Sequence, residues 1–218
     1  MSNFDYEVIV RSLPFLMKEL SLSFSLTILA IIAGLALGTL LAIMRVWGPS
    51  PLRWFAAIYI NVFRSIPLIL VIFWFYFLVP MAIGRPVGNF QSALIAFSLF
   101  EAAYYAEIMR AGLNSISRDQ IFAGQAIGLT PRQNLQYVVL PQAFRNMIPV
   151  LLTQAIILFQ DTSLVYVVAL RDFMTASTVV ATREGRLTEM YLFAALVYFV
   201  ICFMGSLLVR HAQKKKLS

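Results

Sequence analysis

Residues Leu20 to Met44 read LSLSFSLTILAIIAGLALGTLLAIM, twenty-five positions without one charged side chain, and Arg45 follows at once. About 20 apolar residues in a helix cross the hydrocarbon of a bilayer, so this run is long enough to span it with some tilt. In lipid every backbone polar group must be bonded within its own segment, which selects helices for unbroken apolar runs. The rest of the chain agrees: of 218 residues, 61% are hydrophobic and 12% charged, far from the composition of a soluble domain. The expected fold class is an all-α membrane protein with about five transmembrane helices, forming one domain over residues 1–218.

Residues 1 to 19 mix Asp5, Glu7, Arg11, Lys18 and Glu19 with apolar residues, a pattern expected to lie amphipathically on the membrane rather than to form a cleavable signal sequence. A second apolar segment, about 55–80, is interrupted by Asn61, Arg64, Ser65 and Pro67. The third, about 91–113, carries Glu101 near its middle and Glu107 and Arg110 towards its end. The fourth begins near Ala143 and turns polar at Gln160-Asp161-Thr162-Ser163; the fifth, about 190–209, is free of charge. Within the first span Ala30, Gly34, Gly38 and Ala42 recur every fourth residue, giving one smooth face for a closely packed neighbour.

Ionisable groups at membrane depth are expensive and mark function by default. Arg64 stands eleven residues beyond Arg53, about 16 Å along a helix and near mid-bilayer. Glu101 is central in its span, with Tyr104 and Tyr105 expected on the same face. Asp161, Thr162 and Ser163 stand where each is able to cap a following half-helix, whose positive end attracts carboxylates. Arg64, beside Ser65 and Pro67, adds a forked donor for the same group, and Glu101 or Asp161 an acceptor for an ammonium. Together these suit a zwitterion such as an amino acid. The plain alternative is that Arg64 pairs with Glu101 or Asp161 to brace the bundle. One cysteine, Cys202, and one histidine, His211, leave no set of metal ligands, so no metal site is expected.

Between the third and fourth spans, residues 117–142 have the grammar of a soluble helical hairpin. Gly128 reads as a helix stop, Thr130 as the next N-cap, Pro131 as the first helical position and Gln133 as the partner in a Thr-x-x-Gln capping box. With five spans and the N-terminus outside, ten of the chain's seventeen Lys and Arg fall on the hairpin's side and six opposite, Arg64 being set aside as intramembrane. This bias puts the hairpin and the C-terminus in the cytoplasm.

These residues carry a resemblance. The hairpin is similar to the EAA loop of permeases in binding-protein-dependent ABC importers, its frame falling on Phe122-Ala123-Gly124, Gly128 and Val138-Val139-Leu140-Pro141. Phe122 stands where that family has an acid, and Gly124 where it has alanine. YINVFRSIPL (Tyr59 to Leu68), EAAYYAEIMRAGLNSI (Glu101 to Ile116) and FQDTSLVYV (Phe159 to Val167) resemble signatures of polar amino-acid permeases, the wording being most similar to glutamate/aspartate permease subunits. Ser65-Ile66 replaces the usual Gly-Thr, and Gln160 a commonly basic residue.

The resemblance implies a type I ABC importer permease fold in a bacterial inner membrane. It implies half of an ATP-driven pathway for glutamate, aspartate or another polar amino acid. Implied partners are a second permease, identical or different, two cytoplasmic ATP-binding subunits and an external substrate-binding protein. Surrounding lipid is the remaining partner; no nucleic acid is involved. Implied substrate-binding residues are Arg64, Ser65, Glu101, Asp161, Thr162 and Ser163; implied ATPase-coupling residues are Phe122, Ala123, Gly124, Gly128, Leu140 and Pro141. The chain has no Gly-x-x-x-x-Gly-Lys-[Ser/Thr] phosphate loop, so it is read as a non-enzymatic subunit, with ATP and Mg²⁺ on the partner ATPase. A gradient-driven secondary transporter is the alternative, and a channel subunit a weaker third, neither of which accounts for the capped hairpin.

Overall fold

The computed structural model describes residues 4–217. Helix α1 (Tyr6–Trp47) is 42 residues long, about 63 Å at 1.5 Å per residue, roughly twice the hydrocarbon thickness. The charge-free run, Leu20 to Met44, is only its later part. Buried positions Val8, Ser12, Leu16, Glu19, Ser23, Leu26, Ala30, Gly34, Gly38 and Ala42 make one stripe from end to end, at the three-to-four-residue spacing of a single helix face. The described part of segment 1–19 is therefore no separate surface helix. Its apolar face packs on protein: Val8, Leu16 and Leu20 share a core with Phe173, Ala176, Val180 and Met190.

A bend follows the expected interruption. Helix α2 (Ser50–Arg64) and helix α3 (Leu68–Ile83) meet at 106° across the break, because Pro67 forces Ile66 out of helical geometry and removes an N–H. Ser65 closes α2, its backbone N–H and hydroxyl both donating to the Asn61 carbonyl at 3.1 and 2.7 Å. Helix α4 (Asn89–Asn114) runs back through the centre of the bundle. After the hairpin helix α5 (Arg118–Ala126), helix α6 (Pro131–Val168) extends as one continuous element into a last 3₁₀ segment, Thr162–Val168. Helix α7 (Phe173–Glu184) covers the early turns of α1, and α8 (Leu187–Leu217) closes the bundle. Among the described residues four helices are long and apolar enough to span a membrane, five with the bent α2–α3 pair.

Two π-turns share one cause. In Trp74–Leu78 and Leu135–Val139 the closing N–H, from Val79 and Leu140, reaches five residues back to Trp74 and Leu135. Each donor immediately precedes a proline, Pro80 or Pro141. The proline cannot donate to the carbonyl four residues back and crowds it, and widening the turn relieves the crowding.

Central packing rests on α1 against α4. A methyl group added at Gly38 would stand 2.8 Å from Tyr105 Cβ and 2.9 Å from the Ala102 carbonyl oxygen; at Gly34, 3.0 Å from Glu101 Cβ. Glycine at these positions is what lets the two backbones approach. Tyr59 adds a tie from α2, its hydroxyl donating to the Leu99 carbonyl at 2.8 Å. Replacing Gly38 by valine pushes against backbone atoms that cannot rotate away. The expected outcome is a loss of about 1–3 kcal/mol, measured as a lowered thermal unfolding midpoint of the purified protein, with Ala36→Val, at an exposed position of the same helix, as the comparison.

Candidate functional site: a charged cavity and a capped hairpin

Arg64, at the last turn of α2 and the lip of the bend, enters a cavity of about 340 Å³ between α2, α4 and α6. Its guanidinium lies 5.5 Å from the centre of the Tyr104 ring, a cation–π distance. Its Nη1 stands 3.7 Å from Glu107 Oε1. Glu107 is already held from the other side by Arg110, whose Nε and Nη2 donate at 2.9 and 2.5 Å. The shorter, forked pair binds Glu107 more strongly, so Arg64 remains the open donor of the cavity, with 38% of its side chain exposed. Gln154 and Asn146, from α6, line the opposite wall. Asn146 Nδ2 donates to Ser115 Oγ at 2.7 Å, joining the wall to the hairpin's root.

The bracing pair expected for Arg64 is thus corrected. Its carboxylate is Glu107, not Glu101 or Asp161, and helix geometry gives the reason. Six residues at about 100° each set Glu107 some 120° around α4 from Glu101. Glu101 turns towards α1, fully buried, where its Oε1 accepts from Gln154 Nε2 at 3.1 Å. It stands behind the cavity wall, touching the cavity only through Gln154. The two tyrosines separate likewise: Tyr105 is buried with Glu101 against Gly34, whereas Tyr104 faces Arg64.

The remaining candidates do not converge. Ser65 uses its hydroxyl within α2. Asp161 is partly exposed two turns beyond Gln154, and it caps nothing: α6 passes through it in helical geometry with no side-chain cap bond. Thr162 is buried with its hydroxyl on the Phe159 carbonyl at 2.7 Å, and Ser163 lines a different cavity with Tyr166 and Thr178. The break falls later than expected. Ala169 takes a left-handed conformation, φ 53°, and the cap is Asp172, which accepts from the backbone N–H groups of Met174 and Thr175 at 2.9 and 3.0 Å. Asp172 is fully buried, with the Tyr198 hydroxyl 3.4 Å away. An Asp two residues before a Met-Thr-Ala-Ser run was a readable N-cap signal, outweighed by the more polar Gln-Asp-Thr-Ser upstream.

The hairpin matches its local grammar closely. Ser117 caps α5, and Gly128 (φ 87°) donates to the Gln125 carbonyl at 2.9 Å while Leu129 donates to that of Gly124 at 3.1 Å. These two bonds form a Schellman motif, which requires the left-handed residue that glycine supplies. Thr130 and Gln133 form the reciprocal capping box. One expectation changes: the second arm is not a short separate helix but the first turns of α6, widened at Leu135–Val139 ahead of Pro141. Gly124 is buried, and a Cβ there would collide with the Asn134 side chain. Asn134, itself buried, donates to the Ile121 carbonyl at 2.7 Å. Phe122, Ala123 and Ile127 face outward, Phe122 at 59% and Ile127 at 79% exposed. Asn134 had no sequence signal beyond lying on the face opposite Gly124.

Asn134→Ala removes the bond that clasps the two arms. The expected outcome is amide exchange in α5 faster by about tenfold or more, corresponding to a buried hydrogen bond of about 1–3 kcal/mol, read by exchange mass spectrometry, with exchange in α4 unchanged.

Residues 34–217 match the family described as binding-protein-dependent transport system inner membrane component. Over 222 aligned residues and 99% of both chains, the protein is 48% identical to the glutamate/aspartate import permease protein GltK of Escherichia coli O6:H1. It is 37% identical to the L-cystine transport system permease protein TcyB of Bacillus subtilis strain 168, covering 94% of this chain and 87% of that one. The crystal structure of an amino acid ABC transporter with histidines superposes with a TM-score of 0.91 at 27% identity, over 97% of this chain and 98% of that chain. The inward-facing methionine ABC transporter MetNI shares the fold at a TM-score of 0.67 and 23% identity, over 97% and 99%. Its all-helical fold is thus that of an ABC importer permease: the chain belongs to the binding-protein-dependent transport system inner membrane components and is a multi-pass membrane permease.

Proposed function

We propose that this chain forms half of the translocation pathway of an ATP-driven importer for glutamate and aspartate in a bacterial inner membrane. The carrying observation is its 48% identity, over essentially all of both chains, to a glutamate/aspartate import permease. The cavity chemistry supports the same reading. Arg64 offers an open forked guanidinium for a carboxylate, and Glu107 and the Gln154 side chain stand across from it. Glu101 acts through Gln154, whose amide nitrogen it holds. That orientation leaves the Gln154 carbonyl oxygen free to accept from an ammonium.

Energy enters from outside the chain. ATP and Mg²⁺ sit on two cytoplasmic ATPase subunits, a second permease subunit completes the pathway, and an external binding protein delivers the amino acid. Phe122, Ala123 and Ile127 are the apolar contacts of the hairpin with the ATPase. Gly124, Gly128, Leu140 and Pro141 shape the hairpin from within. A lever must be stiff, and the Schellman turn, the capping box and the Asn134 clasp make a nine-residue helix hold its shape in water, where a free helix that short is marginal. Closure of the ATPases moves the hairpin, the bundle rocks, and the Arg64 cavity changes its side of exposure. The N-terminus lies outside and the C-terminus in the cytoplasm, in keeping with the Lys and Arg bias.

The test is uptake of labelled glutamate into vesicles carrying the reconstituted transporter, with ionic gradients collapsed and unlabelled amino acids as competitors. Uptake that requires ATP and is displaced most strongly by glutamate and aspartate is expected. Uptake that ATP does not support with the gradients collapsed, and that returns without ATP when an ionic gradient is imposed, would restore the secondary-transporter reading, and displacement by cationic amino acids would move the substrate class.

Arg64→Lys retains the charge and loses the planar fork. Correctly inserted, it is expected to lower transport efficiency by about tenfold, the loss of one charge-assisted bond of about 1.5 kcal/mol. Uptake at the wild-type rate and affinity would remove Arg64 from the substrate's path.

A further inference from the structure

At the hairpin end of the bundle, the turn between α1 and α2 opens a second cavity of about 550 Å³, lined by Arg45, Ser50, Arg53, Trp54, Arg110 and Asn114. Three guanidinium groups meet here. A carboxylate that opposes them is Glu107, which holds Arg110 and interacts with the charges of Arg45 and Arg64. Even with Glu107 counted, the lining keeps a surplus of two positive charges.

The arginines are not equally occupied. Arg53 Nη2 donates to the Gly48 carbonyl at 3.2 Å, holding the turn closed. Arg45 Nη1 is buried without a hydrogen-bond partner among the described residues. A buried charged donor with no acceptor is costly to leave unmade, so Arg45 brings to the cavity lining a charge that no bond at this nitrogen compensates. Helix α2 begins at the same cavity behind Pro49, with no side chain capping its first turn and no acid within it. The positive end of its dipole therefore adds to the three arginines.

An anion with several acceptor oxygens fits this lining, and a phosphate ester is the chemistry that matches forked guanidinium groups. The surroundings choose its carrier. Trp47, Leu52, Trp54 and Phe55 flank the turn, exposed by 51, 45, 69 and 55%. Two of the chain's three tryptophans thus stand at one level of the bundle, the placement that marks a membrane–water interface. A free anion gains nothing from this apolar rim, whereas acyl chains lie along it.

We propose that this cavity is a binding site for the phosphodiester head group of an anionic phospholipid, held by Arg45, Arg53 and Arg110. Basic pockets between spanning helices take lipid head groups by this chemistry. Through Arg110 the site stands one ion pair from Glu107 and Arg64. The site is built from the α1–α2 turn and the end of α4, and it stands or falls independently of the substrate assignment.

The test titrates the full-length chain, purified in the assembly in which it is expressed, with dansyl-labelled phosphatidylglycerol, reading energy transfer from tryptophan. Dansyl-labelled phosphatidylcholine and inorganic phosphate serve as comparators. Saturable binding of the anionic lipid is expected, at least about tenfold tighter than the zwitterionic one, with the double variant Arg45→Gln/Arg53→Gln weaker by about thirtyfold, as two arginine contacts predict. Arg85→Gln, at the opposite end of α4, is expected to bind as wild type. Equal binding of the two lipids overturns the proposal, as does a double variant that binds as tightly as wild type. Displacement of the lipid by inorganic phosphate at about 10 mM, a loading at which only a weak free-anion site would fill, overturns the lipid as carrier and leaves a free-phosphate site. Should the double variant fail to fold, the comparison of lipid classes on the wild-type chain decides alone.

Discussion

Everything in this bundle hangs from the flush contact of α1 with α4. Gly34 and Gly38 bring the backbones so close that an added methyl would meet Glu101, Tyr105 or the Ala102 carbonyl at 3.0 Å or less. In lipid there is no hydrophobic drive to bring one apolar helix against another, so close van der Waals packing between small residues supplies the attraction. Once α1 is seated, the rotation of α4 is set. Glu101 and Tyr105 turn inward beneath α1, and Tyr104 and Glu107 turn to the open side where α2 and α6 bring Arg64 and Gln154.

From that rotation follows an electrostatic division of labour. Glu107 lies between two arginines but is gripped in a fork by Arg110 alone. Arg64 is left as a cation whose compensation is partial, at the mouth of the 106° bend that Pro67 enforces. A charge so placed is expensive in a membrane unless it faces water or a ligand, which ties the transport reading to geometry as well as to similarity. The hairpin at the far end is stiff for a different reason, its two arms being locked by backbone and side-chain bonds that need no lipid and no partner.

The features that reasoning from residues reached best were the local ones. The stop at Gly128, the cap at Thr130 and the box with Gln133 are decided within six residues, so their order in the chain is their structure. The bend at Pro67 is equally local. The failures lay where a polar residue has more than one possible use. Asp161 to Ser163 look like caps, but the helix runs on through them, Thr162 bonding back to Phe159, and the cap is Asp172. Amphipathic residues 4–19 look like a segment for the membrane surface, but the buried stripe continues unbroken into α1 because α7 covers it.

The sequence by itself determined that the chain spans a membrane as helices, where its second span bends, how its hairpin is wound, and which family it belongs to. The first three rest on length of apolar run, proline geometry or capping chemistry, all set by near neighbours along the chain, and the family rests on the wording of a few short stretches. Only the tertiary structure decided which acid meets Arg64, that Glu101 stands behind the cavity wall, and that three arginines from three spans share one cavity. Such pairings depend on the rotation of each helix about its axis, and in lipid that rotation is set by which face a neighbour's glycines allow to approach.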